Sequence, residues 1–258
     1  MQFGSTSIPA HGACVALGLM LGLMLSLRTA RRLELEEMAV WDLGFIAIVG
    51  YIVGGRVVLF VTHWRELTRY PALILVVNGH SPAVLWGGFG VMLAACALSL
   101  WQHPLPLRRT LDALAPPLAL ASALAAVGAF AAGAQFGSAC DMPWAVRFHS
   151  RYALMWSGTP LNVPLHPVQL YEAAAELIIC GALLMLLARA HADGEIFGGW
   201  LALTGVARFV LEFYRGERGV EFFGGFLDGR QALALVMIAA GGILWMRPIA
   251  RGNASHAV

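Results

Sequence analysis

Charged residues stand inside apolar stretches of this sequence, where they could bind an anion. Arg56 lies within one stretch, and Arg208 and Glu212 lie within another, with Arg215 directly after them. A charge at the centre of a membrane helix costs at least about 2.5–3.5 kcal/mol, so it is a functional candidate by default. Arg208, Glu212 and Arg215 share one helical face. An ion pair within the helix would neutralise only one of the two arginines. The arginine that is left favours a bound anion such as a lipid phosphate.

A second polar group opens another apolar stretch, at His166-Pro167-Val168-Gln169-Leu170-Tyr171-Glu172. Proline fits the first turn of a helix, because its missing N–H costs nothing there. Gln169, Glu172 and Glu176 are spaced to line one inward face of that helix. A polar helix start with an interfacial tyrosine would explain part of the pattern. His, Gln, Tyr and Glu at one depth exceed what capping needs, so we interpret the segment as part of a binding site.

The elements that position these residues follow from the composition. Of the 258 residues, 59% are hydrophobic and 12% are charged, and the mean hydropathy is +0.72. Soluble domains carry about 25% charged residues. The composition excludes a disordered chain, a nucleic-acid-binding domain and a disulfide scaffold, and it favours an all-α, polytopic integral membrane protein. The cysteines are scattered without paired spacing, so neither a disulfide framework nor a metal site is expected.

A membrane span needs about 20 mostly apolar residues, and about seven stretches meet this length. The predicted spans are Ile8–Leu27, Asp42–Thr62, Pro82–Trp101, Leu111–Gly137, Pro167–Ala188, Ile196–Tyr214 and Gln231–Met246. Pro71–Asn78 is too short to cross and is predicted to be re-entrant or interfacial. The segment from Ser138 to Leu165 is polar, rich in aromatic residues and long, and long ordered loops are usually functional. We therefore expect one transmembrane domain over residues 1–258, with an ordered outer loop at 138–165.

Arginines predict the orientation, since the chain has 17 basic residues and all are arginine. With the N-terminus outside, the arginines of the inner loops crowd against the span ends, which favours an N-out, C-in topology. The outer side then carries Arg65, Arg69, Arg147, Arg151, Arg215, Arg218 and Arg230. Chemistry on an anionic substrate at the outer leaflet would explain this basic outer face.

Glycines at helical spacing predict close packing of the spans. Gly54-Gly55 lies in the second predicted span, and Gly87-Gly88 with Gly90 lies in the third. Gly18 and Gly22 form a small-xxx-small pair in the first, which packs helices within one chain as readily as between chains.

The two polar groups resemble the motifs of the prolipoprotein diacylglyceryl transferase family. The segment His166–Glu172 matches the family's H-P-x-Q-L-Y-E, and Arg208–Arg215 matches its R-F-x-x-E-F-x-R. Weaker matches follow in the same order over nearly the whole chain; they include Gly55-Arg56, Trp86-Gly87-Gly88, Asp112 and Gly137.

The resemblance implies a seven-helix enzyme of the bacterial inner membrane, with the N-terminus and the site on the outer side. The family transfers the diacylglyceryl group of phosphatidylglycerol to the lipobox cysteine thiol of a preprolipoprotein and releases glycerol phosphate. The implied partners are phosphatidylglycerol, the signal peptide with its lipobox, and membrane lipid, without a cofactor, a metal or nucleic acid. Arginines would stabilise charge growing on the phosphate, and a base would help to form the thiolate.

The resemblance also assigns roles to single residues. The implied catalytic residues are Arg208, Glu212 and His166, with Glu212 fixing Arg208. The implied substrate-binding residues are Arg56, Gln169, Tyr171, Glu172, Arg215 and Gly137. The base stays open between His166 and His11.

Several positions depart from the family pattern. The family's G-R-x-G-[NC]-F falls on Ala125–Phe130, so its arginine is Ala126 and its Asn or Cys is Ala129. The other replacements are Trp86 for a catalytic histidine, and His11 and Thr204 for tyrosines. An arginine contact to a developing phosphate dianion is worth orders of magnitude in rate.

Two functions are therefore open. In an active transferase, Arg147, Arg151 or His11 would supply the missing groups from new positions. Alternatively, the chain is a non-catalytic paralogue that binds anionic phospholipid or a signal peptide. A small-molecule transporter is less favoured, because such proteins commonly show internal repeats and none is found among the spans.

Overall fold

The computed structural model describes residues 10–69, 82–189, 191–216 and 227–246, together with two-residue strands at 2–3, 6–7 and 221–222. The predicted re-entrant segment Pro71–Asn78 lies outside the described residues, as does Arg218. The described part of the chain is helical except for short strand pairs and connecting loops. This is the all-α architecture that the composition predicts.

The elements occur in the following order. The helices are α1 (Ala10–Arg32), α2 (Glu37–Thr62), α3 (Trp64–Arg69), α4 (Pro82–Gln102), α5 (Leu107–Ala132), α6 (Arg151–Ser157), α7 (Val168–Leu187), α8 (Glu195–Glu212) and α9 (Gly229–Met246). Two antiparallel pairs of short strands accompany them, β1 (Gln2–Phe3) with β2 (Thr6–Ser7) and β3 (Glu221–Phe222) with β4 (Leu227–Asp228).

Within the described residues, 6 helices are long and apolar enough to cross a membrane, namely α1, α2, α4, α5, α7 and α9. The protein is thus a polytopic membrane protein. The remaining long helix, α8, covers most of the predicted sixth span, and its 18 residues include Glu195, Arg208 and Glu212. Because it ends at Glu212, Arg215 lies beyond the helix, and the prediction that all three share one helical face is wrong for Arg215. The crossing of α8 and the N-out orientation stay predictions.

One predicted span is wrong at its C-terminal end. Leu111–Gly137 was expected to cross, but the helix there stops at Ala132. Gly133 follows with a φ of +69°, and the N–H of Ala134 donates back to the carbonyl of Ala129 at 2.9 Å. A left-handed glycine after the last helical residue is a common helix end. Because the following residues are still largely apolar, hydropathy alone places the end too late.

The chain divides into two compact units. Leu35–Leu107 form the smaller unit, and Met1–Glu34 together with Arg108–Val258 form the larger one. The smaller unit is therefore inserted, along the sequence, between α1 and the rest of the larger unit.

In the smaller unit, α2 and α4 pack closely through glycines. A Cβ atom on Gly54 would lie 2.8 Å from the carbonyl oxygen of Gly87. A Cβ atom on Gly88 would lie equally close, 2.8 Å, to the carbonyl oxygen of Tyr51. These contacts confirm the close packing predicted from Gly54-Gly55 and Gly87-Gly88. Gly90 is different, because its Cβ position has nothing within 4 Å.

In the larger unit, α1 packs against α5 in the same way. A Cβ atom on Gly18 would lie 3.1 Å from the carbonyl oxygen of Ala121, and one on Gly22 would lie 3.2 Å from that of Pro117. The small-xxx-small pair of α1 therefore packs helices within this chain.

Thr29 of α1 satisfies a carbonyl that a proline of α5 leaves open. Pro117 lies inside α5 and has no N–H, so the carbonyl of Ala113 lacks its usual partner four residues on. The hydroxyl of Thr29 donates to that carbonyl at 2.6 Å. Since lipid cannot hydrogen-bond an exposed carbonyl, this contact makes the proline tolerable within a membrane helix.

Asp112 fixes the start of α8 from a different helix. Its Oδ2 accepts from the N–H of Gly194 at 2.7 Å, and its Oδ1 accepts from the N–H of Phe197 at 2.8 Å. Asp112 is only 1% exposed. The carboxylate thus caps backbone N–H groups that α8 cannot satisfy itself, and it ties the helix that carries Arg208 to α5.

Candidate active site

The polar segment His166–Glu172 contains the start of a helix whose polar side chains are buried. α7 begins at Val168, directly after Pro167. Gln169 and Glu176 are each 1% exposed, and the side chain of Glu172 is 12% exposed. The spacing of three and four residues places these polar groups on one buried face of α7.

Glu172 belongs to a row of alternating charges with Arg215 at its centre. The Nη2 atom of Arg215 lies 3.0 Å from Oε2 of Glu172, and its Nε atom lies 3.1 Å from Oε2 of Glu212. The other oxygen of Glu172, Oε1, is 3.7 Å from Nη2 of Arg208. The other oxygen of Glu212, Oε1, is 3.4 Å from Nη1 of Arg230. We call Arg208, Glu172, Arg215, Glu212 and Arg230 the ion-pair row.

The centre of the ion-pair row is buried and its two ends are exposed. The side chain of Arg215 is 11% exposed and that of Glu212 is 7% exposed. The side chains of Arg208 and Arg230 are 43% and 44% exposed. Arg215 also donates from Nη1 to Oε1 of Gln135 at 3.3 Å. The row therefore holds three guanidiniums with two carboxylates and presents cations at both ends.

A cavity of about 340 Å³ opens onto the ion-pair row. This volume lies within the range of small-ligand sites, about 300–1,000 Å³. Its lining comprises His11, Ser122, Ala125, Ala126, Ala129, Gln135, Glu172, Arg208, Arg215 and Arg230. The positions that depart from the family pattern, His11, Ala126 and Ala129, thus face the same cavity as the arginines.

His166 and Tyr171 lie together at the start of α7. The ring of His166 is 6.3 Å from that of Tyr171 and 5.3 Å from that of Tyr214, centroid to centroid. The hydroxyl of Tyr171 accepts from Nε1 of Trp144 at 2.6 Å, which attaches the 138–165 segment to α7. The buried Nδ1 atom of His166 has no hydrogen-bond partner among the described residues.

Gly137 packs where no side chain has room. A Cβ atom there would collide with the carbonyl oxygen of His166 and lie 2.7 Å from its Cβ. Gly137 forms an antiparallel bridge with Arg215, and the N–H of Ser138 donates to the carbonyl of Tyr214 at 2.8 Å. The glycine therefore allows three segments to meet beside Arg215. A direct contact with substrate stays a prediction.

Gln169 and Glu176 form polar contacts deeper in the helix bundle. The Nε2 atom of Gln169 donates to the carbonyl of Ala134 at 2.6 Å, which holds the turn after α5. The hydroxyl of Thr204 donates to Oε2 of Glu176 at 3.3 Å. These contacts explain how α7 is attached to its neighbours; a substrate contact of Gln169 stays a prediction.

Of the remaining residues considered in the sequence, two belong to the smaller unit and two to the 138–165 segment. Arg56 is half-buried on α2 and Trp86 is exposed on α4, both in the smaller unit. Within the 138–165 segment, Arg147 donates from Nη1 to the carbonyl of Asn162 at 2.9 Å. In the part of the chain that the structure describes, the cavity lining contains neither Arg147 nor Arg151.

Sequence reasoning did not single out Arg230 or Gln135. Arg230 stands in the first turn of α9, where a cation opposes the helix dipole. A cation in the first turn of a predicted helix can be recognised from the sequence alone, and it indicates that the residue has a role outside the helix. Gln135 has a φ of +56°, a left-handed conformation that non-glycine residues adopt mainly at turns and functional sites. Nothing in the sequence indicates it.

The helices and the cavity define a polytopic membrane protein whose larger unit holds a cavity lined by Arg208, Arg215 and Arg230. A family model described as prolipoprotein diacylglyceryl transferase matches residues 1–247. The chain belongs to this family of enzymes, which confirms the resemblance drawn from its motifs.

Individual relatives agree with the family model over most of their length. The phosphatidylglycerol–prolipoprotein diacylglyceryl transferase of Tolumonas auensis is 30% identical over 250 residues, covering 95% of this chain and 93% of the relative. The protein of the same name from Idiomarina loihiensis is 32% identical over 212 residues, covering 80% and 75%. The one from Clostridium tetani is 26% identical over 217 residues, covering 81% and 82%.

Proposed function

We propose that this protein transfers the diacylglyceryl group of phosphatidylglycerol to the lipobox cysteine of a preprolipoprotein. The observation that carries the proposal is the ion-pair row, which presents Arg208 at a cavity of about 340 Å³. A cationic, partly buried cavity suits the phosphodiester of an anionic lipid. Membership of the family, and the names of the relatives, support this substrate pair.

The reaction is a substitution at carbon. The cysteine sulfur forms a bond to the terminal glycerol carbon of the diacylglyceryl group, and the bond from that carbon to the phosphate oxygen breaks. The bonding electron pair leaves with glycerol phosphate, which gains a negative charge, while a base takes the thiol proton. Cations already placed at the phosphate stabilise this charge without having to reorganise.

The exposed and the buried charged residues have different roles in this proposal. Arg208 is exposed at the cavity and contacts the phosphate, with Glu172 holding its guanidinium at 3.7 Å. Arg215 is ion-paired with the carboxylates of Glu172 and Glu212, so it orders the site, and its positive charge adds to the attraction of the phosphate. Glu212 fixes Arg215, and it reaches Arg208 only through the row. Gln169, Tyr171 and Gly137 shape the headgroup pocket in this proposal, and a substrate-binding role of Arg56 stays a prediction.

Two histidines are proposed as the base. His11 lines the cavity. His166 lies between two tyrosine rings and has a buried Nδ1 atom without a partner among the described residues. Single substitutions by glutamine separate them, because the variant that lacks the base depends on thiolate formed in solution, and its rate should rise with pH toward the ordinary thiol pKa of about 8.5.

The proposed lipid substrate determines the membrane in which we expect the protein. We propose that the protein lies in the bacterial inner membrane as a multi-pass protein, N-out and C-in, with its cavity facing the outer side. There it meets phosphatidylglycerol laterally and the signal peptide of an exported preprolipoprotein.

The test is a transfer assay with the purified full chain. It uses detergent micelles containing phosphatidylglycerol and a synthetic lipobox peptide, and mass spectrometry reads the added diacylglyceryl group. A peptide with serine in place of the lipobox cysteine, and micelles of phosphatidylcholine, are the controls. Thioether product from the phosphatidylglycerol sample alone supports the proposal. Retention of phosphatidylglycerol without any product would instead identify a non-catalytic lipid-binding paralogue.

A further inference from the structure

Arg230 occupies a place at the cavity that no motif explains. It lines the cavity together with Arg208, and its side chain is 44% exposed, against 43% for Arg208. We propose that Arg230 is a second phosphate-contacting residue, which grips the lipid phosphate from the α9 side while Arg208 grips it from the α8 side. This inference rests on the proposed function for the identity of the lipid, and on the cavity alone for the binding of a phosphate.

The geometry of the ion-pair row separates its end arginines from its central one. Arg215 is 11% exposed, and Glu172, Glu212 and Gln135 all contact its guanidinium. Arg208 and Arg230 are instead each held by one oxygen of a row carboxylate, at 3.7 and 3.4 Å. An anion that enters the cavity therefore reaches the exposed end arginines more readily than the buried central one.

The helix that carries Arg230 does not itself favour a cation at this position. Arg230 stands in the first turn of α9, where the helix dipole disfavours positive charge by about 0.3–1 kcal/mol. Its backbone N–H is already capped by Oδ1 of Asp228 at 3.0 Å. Helix formation would thus gain from a neutral or acidic residue there, so the guanidinium serves its tertiary surroundings, namely Glu212 and the cavity.

The charges of the row match the reaction. Three guanidiniums and two carboxylates leave one positive charge in excess, which a phosphodiester monoanion neutralises. When the carbon–oxygen bond breaks, the leaving glycerol phosphate carries a second negative charge. Two end arginines on different helices can share it, and neither has to leave its carboxylate.

A second position at the same cavity allows a swap. Ala126 of α5 is 5% exposed and lines the cavity with Arg230. Its small side chain leaves the cavity open on that side. An arginine placed at 126 would therefore bring a guanidinium into the same cavity from another helix.

The experiment compares Arg230→Gln, Arg230→Lys and the double variant Ala126→Arg/Arg230→Gln with the native chain. Arg65→Gln, which changes an exposed arginine of α3, is the matched control. Two readouts are made on each full-length protein: retention of phosphatidylglycerol against phosphatidylcholine from mixed detergent micelles, and kcat/KM for transfer to the lipobox peptide. Thermal unfolding of each variant accompanies them.

We expect Arg230→Gln to lower kcat/KM on the order of a hundredfold and to reduce the preference for phosphatidylglycerol over phosphatidylcholine. Arg230→Lys should retain part of both, and the double variant should regain part of both. Unchanged binding and rate in Arg230→Gln would overturn the inference. So would a fall in both that only accompanies unfolding, with no recovery in Arg230→Lys or in the double variant.

The two proposals fail separately. If the native chain makes no thioether but Arg230→Gln still weakens its preference for phosphatidylglycerol, the transferase proposal falls and the phosphate contact stands. If the native chain is active and Arg230→Gln matches the Arg65→Gln control in both readouts, the phosphate contact falls and the transferase stands.

Discussion

Glu172 and Glu212 lie on different helices and hold the same guanidinium, that of Arg215, at 3.0 and 3.1 Å. Each carboxylate uses its second oxygen for an arginine exposed at the cavity. The carboxylates are therefore shared between a buried and an exposed cation. A change in either one reaches both kinds of arginine.

The variant Glu172→Gln removes the negative charge between Arg208 and Arg215. Breaking a buried pair on one side leaves an uncompensated charge and costs at least about 3 kcal/mol. We expect a clear fall in thermal stability in detergent and a loss of transfer activity larger than the unfolded fraction explains. Glu66→Gln changes an exposed carboxylate of α3 and should leave both unchanged; a Glu172→Gln protein that behaves like it would refute the role of the row.

Arg208 should not tolerate lysine as a conservative replacement. We expect Arg208→Ala to reduce transfer about 100- to 1,000-fold, the loss typical of one donor to a developing oxyanion. Arg208→Lys should keep a small part of the activity, because an ammonium keeps the charge without the planar fork. Complementation of a strain depleted of its own diacylglyceryl transferase measures both. Equal growth with the native chain and with Arg208→Ala would contradict the assignment.

Asp112 should matter for stability rather than for chemistry. In Asp112→Ala the N–H groups of Gly194 and Phe197 lose their acceptor, which should cost about 1–2 kcal/mol. Asp112→Asn keeps one acceptor oxygen and should cost less. Thermal unfolding orders the native chain, the Asn variant and the Ala variant. If Asp112→Ala were more stable than Asp112→Asn, the loss of hydrogen-bond acceptors would not explain the effect of Asp112 on stability.

A methyl group at Gly137 should disturb the site, whereas one on α7 should not. In Gly137→Ala the new Cβ would collide with His166, so we expect less folded protein and lower activity. Gly181→Ala is the matched control, because its Cβ position has nothing within 4 Å. An alanine inside a helix gains up to about 1 kcal/mol over glycine, so this variant should be as stable as the native chain or more so. Expression level and thermal unfolding decide between them.

The hydrogen bond from Thr29 to Ala113 can be tested through the proline that makes it necessary. Thr29→Val removes the hydroxyl and should destabilise the fold by about 0.6–1.7 kcal/mol. Pro117→Ala restores a backbone N–H for the same carbonyl. In that background we expect Thr29→Val to cost less, and a double-mutant cycle on unfolding free energy measures the coupling. Strictly additive effects would contradict the proposed substitution of one donor for another.

Hydropathy predicts most of the fold because membrane helices must be long and apolar. The helix predicted at Pro82–Trp101 ends one residue later in the structure, at Gln102. Helix ends are less predictable where the apolar run continues, as after Ala132. There the end depends on the left-handed backbone of Gly133, which hydropathy does not report.

Only those contacts of the candidate site that are close in sequence can be predicted from the sequence. Glu212 and Arg215 are three residues apart, and their spacing indicates the contact that the structure shows. The spacing also suggested that Glu212 holds Arg208, but Arg208 is paired with Glu172 of α7, a residue distant in sequence. Arg230 is 18 residues from Glu212 and reaches it only when α9 packs beside α8. Such a pair depends on tertiary structure, and the one hint in the sequence was a cation placed against a helix dipole.

Thr29 and Ala113 are separated by 84 residues, and this distance sets an order of events during biosynthesis. At about 5–20 residues per second, roughly 4–17 s pass between synthesis of the donor and of its acceptor. During that interval α1 is already in the bilayer, with small residues on the face that will later meet α5. The ribosome meanwhile completes Leu35–Leu107. The larger unit therefore closes only after the smaller one has been made.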